Sequence, residues 1–197
     1  MRVVLATGNA GKLREFADLL APAGFEFSPQ SQFGIEPPEE TGRTFLDNAL
    51  LKARYAAART GLPAMADDSG LEVDALHGAP GVYSARYAGL HASDADNVAK
   101  LLNALATTAD AARGARFRCV IALVMNADDP QPVIGTGTWE GRILQAPRGT
   151  EGFGYDPIFQ DLASGRSAAE LSASEKHARS HRGAALAALL EVWRQRR

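Results

Sequence analysis

The chain has 197 residues, 46% of them hydrophobic and 22% charged. That length and balance fit one globular domain with a sizeable core and leave no room for two full-sized domains. Its 21 basic and 23 acidic residues give a net charge of -2, which argues against a general nucleic-acid or membrane-surface binder, because such partners select a basic excess. The one cysteine, Cys119, cannot close an internal disulfide and fits a reducing, cytoplasmic compartment. Val3 to Ala6 is a run of four apolar residues before Thr7, short of the roughly 7–15 of a signal peptide. The longest apolar run, Cys119 to Met125, is far below the roughly 20 residues of a membrane helix.

The 37 alanines raise helix propensity everywhere, so periodicity and caps must place the elements. Arg2 to Ala6 reads as a buried strand. Leu13, Phe16, Leu19 and Leu20 share a helical face that Pro22 and Gly24 stop. Glu26 to Ser28 reads as a second strand, and Gln30 to Gly42, with its glycines and prolines, as a loop. Thr44 with Asp47 three residues on is an approximate capping box that opens a helix running to about Thr60. Ala64 to Ala66 reads as a strand ending in Asp67-Asp68-Ser69-Gly70, and Leu71 to Leu76 as a half-exposed strand. Ser93 with Asp96 caps a helix whose face is Val98, Leu101, Leu102 and Leu105. Ala115 to Asn126 and Pro132 to Leu144 read as a hairpin, and Gly149 to Asp156 as a glycine-rich loop. Leu186, Leu189, Leu190 and Trp193 form the face of a last helix starting near Ser180. The class is α/β with a mixed sheet.

Four segments carry candidate chemistry. Thr7-Gly8-Asn9-Ala10-Gly11-Lys12 lies between a strand and a helix. There, helix N–H groups and Lys12 would favour an anion; the other reading is a tight connection with a solvated lysine. Its glycine spacing fits neither a Walker loop nor a dinucleotide fingerprint. The doublets Glu39-Glu40 and Asp67-Asp68 offer oxygen ligands that suit Mg²⁺ or Mn²⁺, or else form a solvated loop and a strand-end cap. Phe153 among Gly149, Gly152 and Gly154 could present a stacking face to a flat ligand with Asp156 at its edge, or plug the core. Lys176 with Ser180-His181-Arg182 puts cations at a helix start, where an anion or a carbonyl oxygen would balance them. Cys119, Trp139 and Trp193 read as core. His177 and His181, at i and i+4, lack a third ligand, so zinc is not expected.

Taken together, these segments resemble one family, the inosine/xanthosine triphosphate pyrophosphatases, or ITPases. The matching residues are Thr7 to Lys12, Glu39-Glu40-Thr41-Gly42, Phe45 with Asn48 and Lys52, Ala66 to Gly70, Gly78 to Arg86, Gly152 to Phe159 and Ser180 to Arg182. They run in family order over nearly the whole chain, with His177 and Arg179 as minor departures. The resemblance implies one domain over 1–197 with a long bent mixed sheet, two lobes and a central cleft, and a homodimer. It implies hydrolysis of ITP, dITP and XTP to the monophosphate and pyrophosphate, clearing them before incorporation into DNA or RNA, with Mg²⁺ and Mn²⁺ as a possible substitute.

On that resemblance Asp68 is general base, or the carboxylate that holds a metal-bound water, and Asp68 with Glu39 or Glu40 holds the metal. Thr7, Gly8, Asn9, Ala10, Gly11, Lys12, Lys52 and Ser69 would take phosphates and sugar. Phe153, Gly154, Tyr155 and Asp156 would surround the base, Lys176 and Arg182 would add positive charge, and His181 and Arg182 would be donors for the 6-oxygen that separates hypoxanthine and xanthine from adenine. Two other readings remain open: a pyrophosphatase for another damaged nucleotide, such as a modified pyrimidine triphosphate, and a nucleotide sensor without turnover. The acidic doublets favour an enzyme.

Overall fold

The structure, a computed structural model, describes residues 1–9, 11–13, 15–16 and 25–196. Its strands are β1 (Arg2–Leu5), β2 (Glu26–Pro29), β3 (Ala64–Val73), β4 (Gly114–Val124), β5 (Val133–Ile143) and β6 (Phe159–Asp161). Its principal helices are α1 (Phe45–Thr60), α2 (Asp94–Ala104), α3 (Ala173–Arg179) and α4 (His181–Gln195). The six strands form one sheet in the order β2-β1-β3-β4-β5-β6. β1 runs parallel to β2 and β3, whereas β5 and β6 are antiparallel. The class is therefore α/β with a mixed sheet, as the alternation of elements implies.

The chain divides into two compact units, residues 1–68, 119–137 and 182–197, and residues 69–118 and 138–181. In the first unit both sheet faces are buried. Val3, Leu5, Met65, Cys119, Ile121 and Leu123 pack with Phe16 and with Ala185, Leu186 and Leu189 of α4. Val4, Ala6, Ala64, Ala66, Ala122 and Val124 pack with Ala49, Ala53, Ala56 and Ala57 of α1. Alternate strand residues point to opposite faces, so β1 serves two cores and reads as a continuous apolar run. The alanine surplus has its use here, since small side chains let α1 lie close to the strands. Its start is fixed by the expected capping box: Thr44 accepts from the Asp47 N–H and Asp47 accepts from the Thr44 N–H.

In the second unit, Leu71, Val73, Leu101, Leu105, Phe117, Trp139, Tyr155, Ile158 and Phe159 form the core. Here the alternation is one-sided. Ala115 and Phe117 point inward, while Arg116 pairs with Asp74 and Glu140, and Arg118 with Glu72.

Several expectations are corrected. β3 is a single ten-residue strand, so Asp67-Asp68 stands in mid-strand and Ser69-Gly70 makes no turn. Strand continuity through two buried carboxylates is possible because cations and an amide from other elements meet them. Leu71 to Leu76 is therefore no separate strand: it continues β3 to Val73 and then forms a 3₁₀ turn, Asp74–Leu76. The segment after Pro29 begins with a 3₁₀ helix, Gln30–Phe33. Lys176 belongs to its own short helix, α3, closed by Ser180, rather than to the last helix. The first expected helix is helical at residues 11–13 and 15–16; Ala10, Leu19, Leu20, Pro22 and Gly24 lie outside the described residues.

Gly135 of β5 packs directly under α4. A Cβ there would collide with the Ala185 carbonyl and with Leu189. Gly135→Ala is expected to cost about 1–3 kcal/mol, the range for overpacking a closed core, with urea unfolding as the measurement.

Candidate functional site

Successive strand residues face opposite ways, and Asp67 and Asp68 use this to serve different partners. Asp67 lies on the face of Met65, towards Phe16 and α4, and Asp68 on the face of Ala66, towards α1. The Asp67 Oδ2 atom is 2.9 Å from Lys12 Nζ and 3.3 Å from Arg182 Nη2. Arg182 also pairs with Glu15, its guanidinium carbon 5.8 Å from the Phe16 ring centre. Asp68 meets Lys52 Nζ at 3.1 Å through Oδ1 and Asn48 Nδ2 at 3.1 Å through Oδ2. Lys52 is shared, with its Nζ 2.6 Å from Glu40 Oε1.

These environments split the two neighbouring carboxylates. Burial alone would raise the pKa of Asp67, but Lys12, Arg182 and Lys52 outweigh it and hold the group far below the usual range. For Asp68 burial wins over Lys52 and Lys12, with Glu40 pushing the same way, and its pKa is raised. One carboxylate is thus a fixed counter-ion and its neighbour is the more basic group. Burial opposes the Lys52 charge, but Asp68, Asp67 and Glu40 more than restore it.

Side chains of Thr7 and Asn9 shape the approach to the helical residues 11–13. Thr7 Oγ1 accepts from the Asn9 N–H, and Asn9 Oδ1 accepts from the Lys12 N–H at 3.0 Å. The Asn9 carbonyl takes the Leu13 N–H, so Asn9 caps the following helix. Of the first acidic doublet, Glu40 joins the cluster and Glu39 stays exposed. Among the described residues no three His, Cys, Asp or Glu side chains converge as a metal cage. Asp68 and Glu40 still present oxygen donors around one ammonium. Two carboxylates completed by substrate phosphates suit Mg²⁺, which seldom takes an all-protein cage. Among the described residues the carboxylates of Glu15, Glu40, Asp67 and Asp68 gather around Lys12, Lys52 and Arg182.

The second unit gathers the aromatic loop. Asp156 Oδ2 accepts from the Phe153 N–H at 2.9 Å and pairs with Lys176 Nζ at 2.7 Å. That ammonium lies 4.8 Å from the Phe153 ring centre, within cation–π range. Gly154 N–H donates to Asp94, and the Tyr155 hydroxyl to the Ser84 carbonyl. Tyr155 is therefore a core anchor, and Asp156, buried, closes the loop. His181 stacks on Phe117 at 4.7 Å between ring centres, with Trp139 behind at 6.4 Å. Ser69, half-buried, follows Asp68 along β3.

The Ham1 family model matches residues 3–192. The chain belongs to the Ham1 family. It is 57% identical over 193 residues to the dITP/XTP pyrophosphatase of Yersinia pestis, covering 98% of each chain, and 55% identical over 196 residues to that of Vibrio cholerae, covering 100% of this chain and 98% of the relative. A Ham1 protein from Coxiella burnetii superposes with a TM-score of 0.91 at 52% identity, covering 99% of both chains. The Ham1 protein of Staphylococcus aureus gives 0.87 at 39% identity, covering 100% of both.

Within this Ham1 chain, sequence reasoning gave no role to Glu15, Asp94 or Asn48. Only Asn48 carried a signal, standing one helical turn before Lys52 on the same face. Cys119 is buried near Asp67, and burial pushes its thiol up to about 12. The folded protein at pH 8 is therefore expected to leave a disulfide reagent unreacted, whereas the urea-unfolded chain reacts fully. Arg182→Ala is expected to cost about 3–5 kcal/mol, because it removes the buried partner of Asp67 and Glu15 and leaves the buried Asp67 to Lys12; the midpoint of urea denaturation reads it.

Proposed function

We propose that this chain hydrolyses deaminated purine nucleoside triphosphates, dITP, ITP and XTP, to the monophosphate and pyrophosphate, and so clears them before incorporation into DNA or RNA. The observation that carries the reading is the buried Asp68 beside Lys52 and Glu40, in a chain alike along its whole length to dITP/XTP pyrophosphatases.

In this reading Asp68 accepts the proton of the attacking water. A carboxylate has about four lone-pair sites, and Lys52 and Asn48 take one on each oxygen. The remaining sites are left for the water. The water oxygen bonds to the α-phosphorus, the bond from that phosphorus to the bridging oxygen breaks, and pyrophosphate leaves. Phosphoryl transfer depends on positioning and neutralisation more than covalent chemistry. Lys12 and the turn amides from Thr7 to Gly11, with Lys52, hold the phosphates, and Ser69 assists. Asp68 and Glu40 would hold magnesium, or manganese in its place, which would supply positive charge and Lewis acidity to the phosphates.

Phe153 offers its ring for stacking, with Lys176 already fixed against it by Asp156. His181 and Arg182 are the donors assigned to the 6-oxygen; adenine presents an amino group there, and a donor facing a donor is costly. A cytoplasmic homodimer completes the proposal. No helix among the described residues is long and apolar enough to cross a membrane.

A panel of dITP, ITP, XTP, GTP and ATP with Mg²⁺, with product identification, tests the reading. Pyrophosphate release from the first three, abolished by EDTA, is expected; release of orthophosphate, or equal turnover of ATP, would sink it. Asp68→Asn should fold and lose at least about 10²-fold in kcat, the scale of one acid–base group.

A further inference from the structure

Asn48 is completely buried on α1 and belongs to no part of the mechanism above except as a neighbour of Asp68. Its two ends face different segments. Oδ1 accepts the Gly42 N–H at 2.8 Å, and Nδ2 donates to Asp68 Oδ2 at 3.1 Å. The first bond fixes the amide orientation, because an N–H can meet only the oxygen, and that leaves the NH₂ for Asp68. Gly42 is fitted to this contact: a Cβ there would run into Asn48 Oδ1, Asp47 Cβ and the Asn48 amide nitrogen. Asn48 thus joins the segment carrying Glu40 to the strand carrying Asp68. With Lys52 one turn later taking Oδ1, it grips the Asp68 carboxylate by both oxygens.

We infer that Asn48 is a positioning residue for the hydrolysis, which aims the Asp68 carboxylate and locks the Glu40 segment beside it. The inference rests on the reading of Asp68 as proton acceptor. Its two bonds do separable work. Gly42 tethering places Glu40 and therefore acts on substrate binding, whereas the bond to Asp68 acts on the chemical step.

The test uses wild type, Asn48→Asp and Asn48→Ala with dITP and Mg²⁺. Asn48→Asp keeps the acceptor for Gly42 but turns an oxygen towards Asp68, and two carboxylates at that distance cannot both ionise. Its kcat is expected to fall about 10–100-fold, the usual cost of losing an orienting partner, with KM within about threefold. Asn48→Ala loses both bonds and should show the same fall in kcat with KM raised about tenfold. Wild-type turnover with kcat unchanged in Asn48→Asp overturns the inference, as does a change confined to KM in both variants. If wild type itself leaves dITP intact, the functional reading fails instead.

Should Asn48→Asp not fold, ¹⁵N NMR of the Asn48 side-chain amide decides without turnover. In wild type its protons are expected to be protected from exchange, and Asp68→Ala should speed that exchange about tenfold or more, the effect of losing roughly 1.4 kcal/mol of hydrogen bonding. Exchange unaltered by Asp68→Ala overturns the inference.

Discussion

One buried ammonium organises the acidic cluster. Lys52 stands between Asp68 and Glu40, and the buried Asp68 carboxylate could not remain charged out of water without such a partner. The position of Lys52 follows from the start of α1. The Thr44–Asp47 box sets where that helix begins, the alanine face sets how closely it packs, and together they deliver Asn48 and Lys52, four residues apart, to the same strand. A register error of one residue in α1 would carry both side chains away from Asp68.

The pleat of β3 does the complementary work. Two adjacent aspartates would repel if their side chains shared a face. Because strand neighbours alternate, each meets its own cations, and one is pinned as an anion while the other becomes more basic. A more basic carboxylate and a counter-ion are thus made from the same residue type at consecutive positions. The second unit shows a similar economy: a single oxygen of Asp156 closes the Phe153 turn and holds Lys176 over the ring.

The capped helices were legible because their signals are local: Thr44 with Asp47 and Ser93 with Asp96 are read within four residues. α3 carried the same signal in Ser172 and Glu175 and escaped because seven residues show no apolar period. The length of β3 was not legible. Asp67, Asp68, Ser69 and Gly70 have poor strand propensity, and only the distant Lys12, Lys52, Arg182 and Asn48 make a strand through them affordable. The same limit hid Glu15, whose partner Arg182 lies at the other end of the chain.

The sequence by itself determined the class of fold, the order of the motifs and the identity of the charged groups, because propensity, capping and charge are written in neighbouring residues. Tertiary structure alone decided that Glu40 rather than Glu39 joins Asp68, that Asp67 and Asp68 take opposite roles, and that Tyr155 and Asp156 support their loop from within. Those outcomes depend on which side of a strand or helix a side chain emerges and on what distant segment meets it there, and no local pattern encodes that meeting.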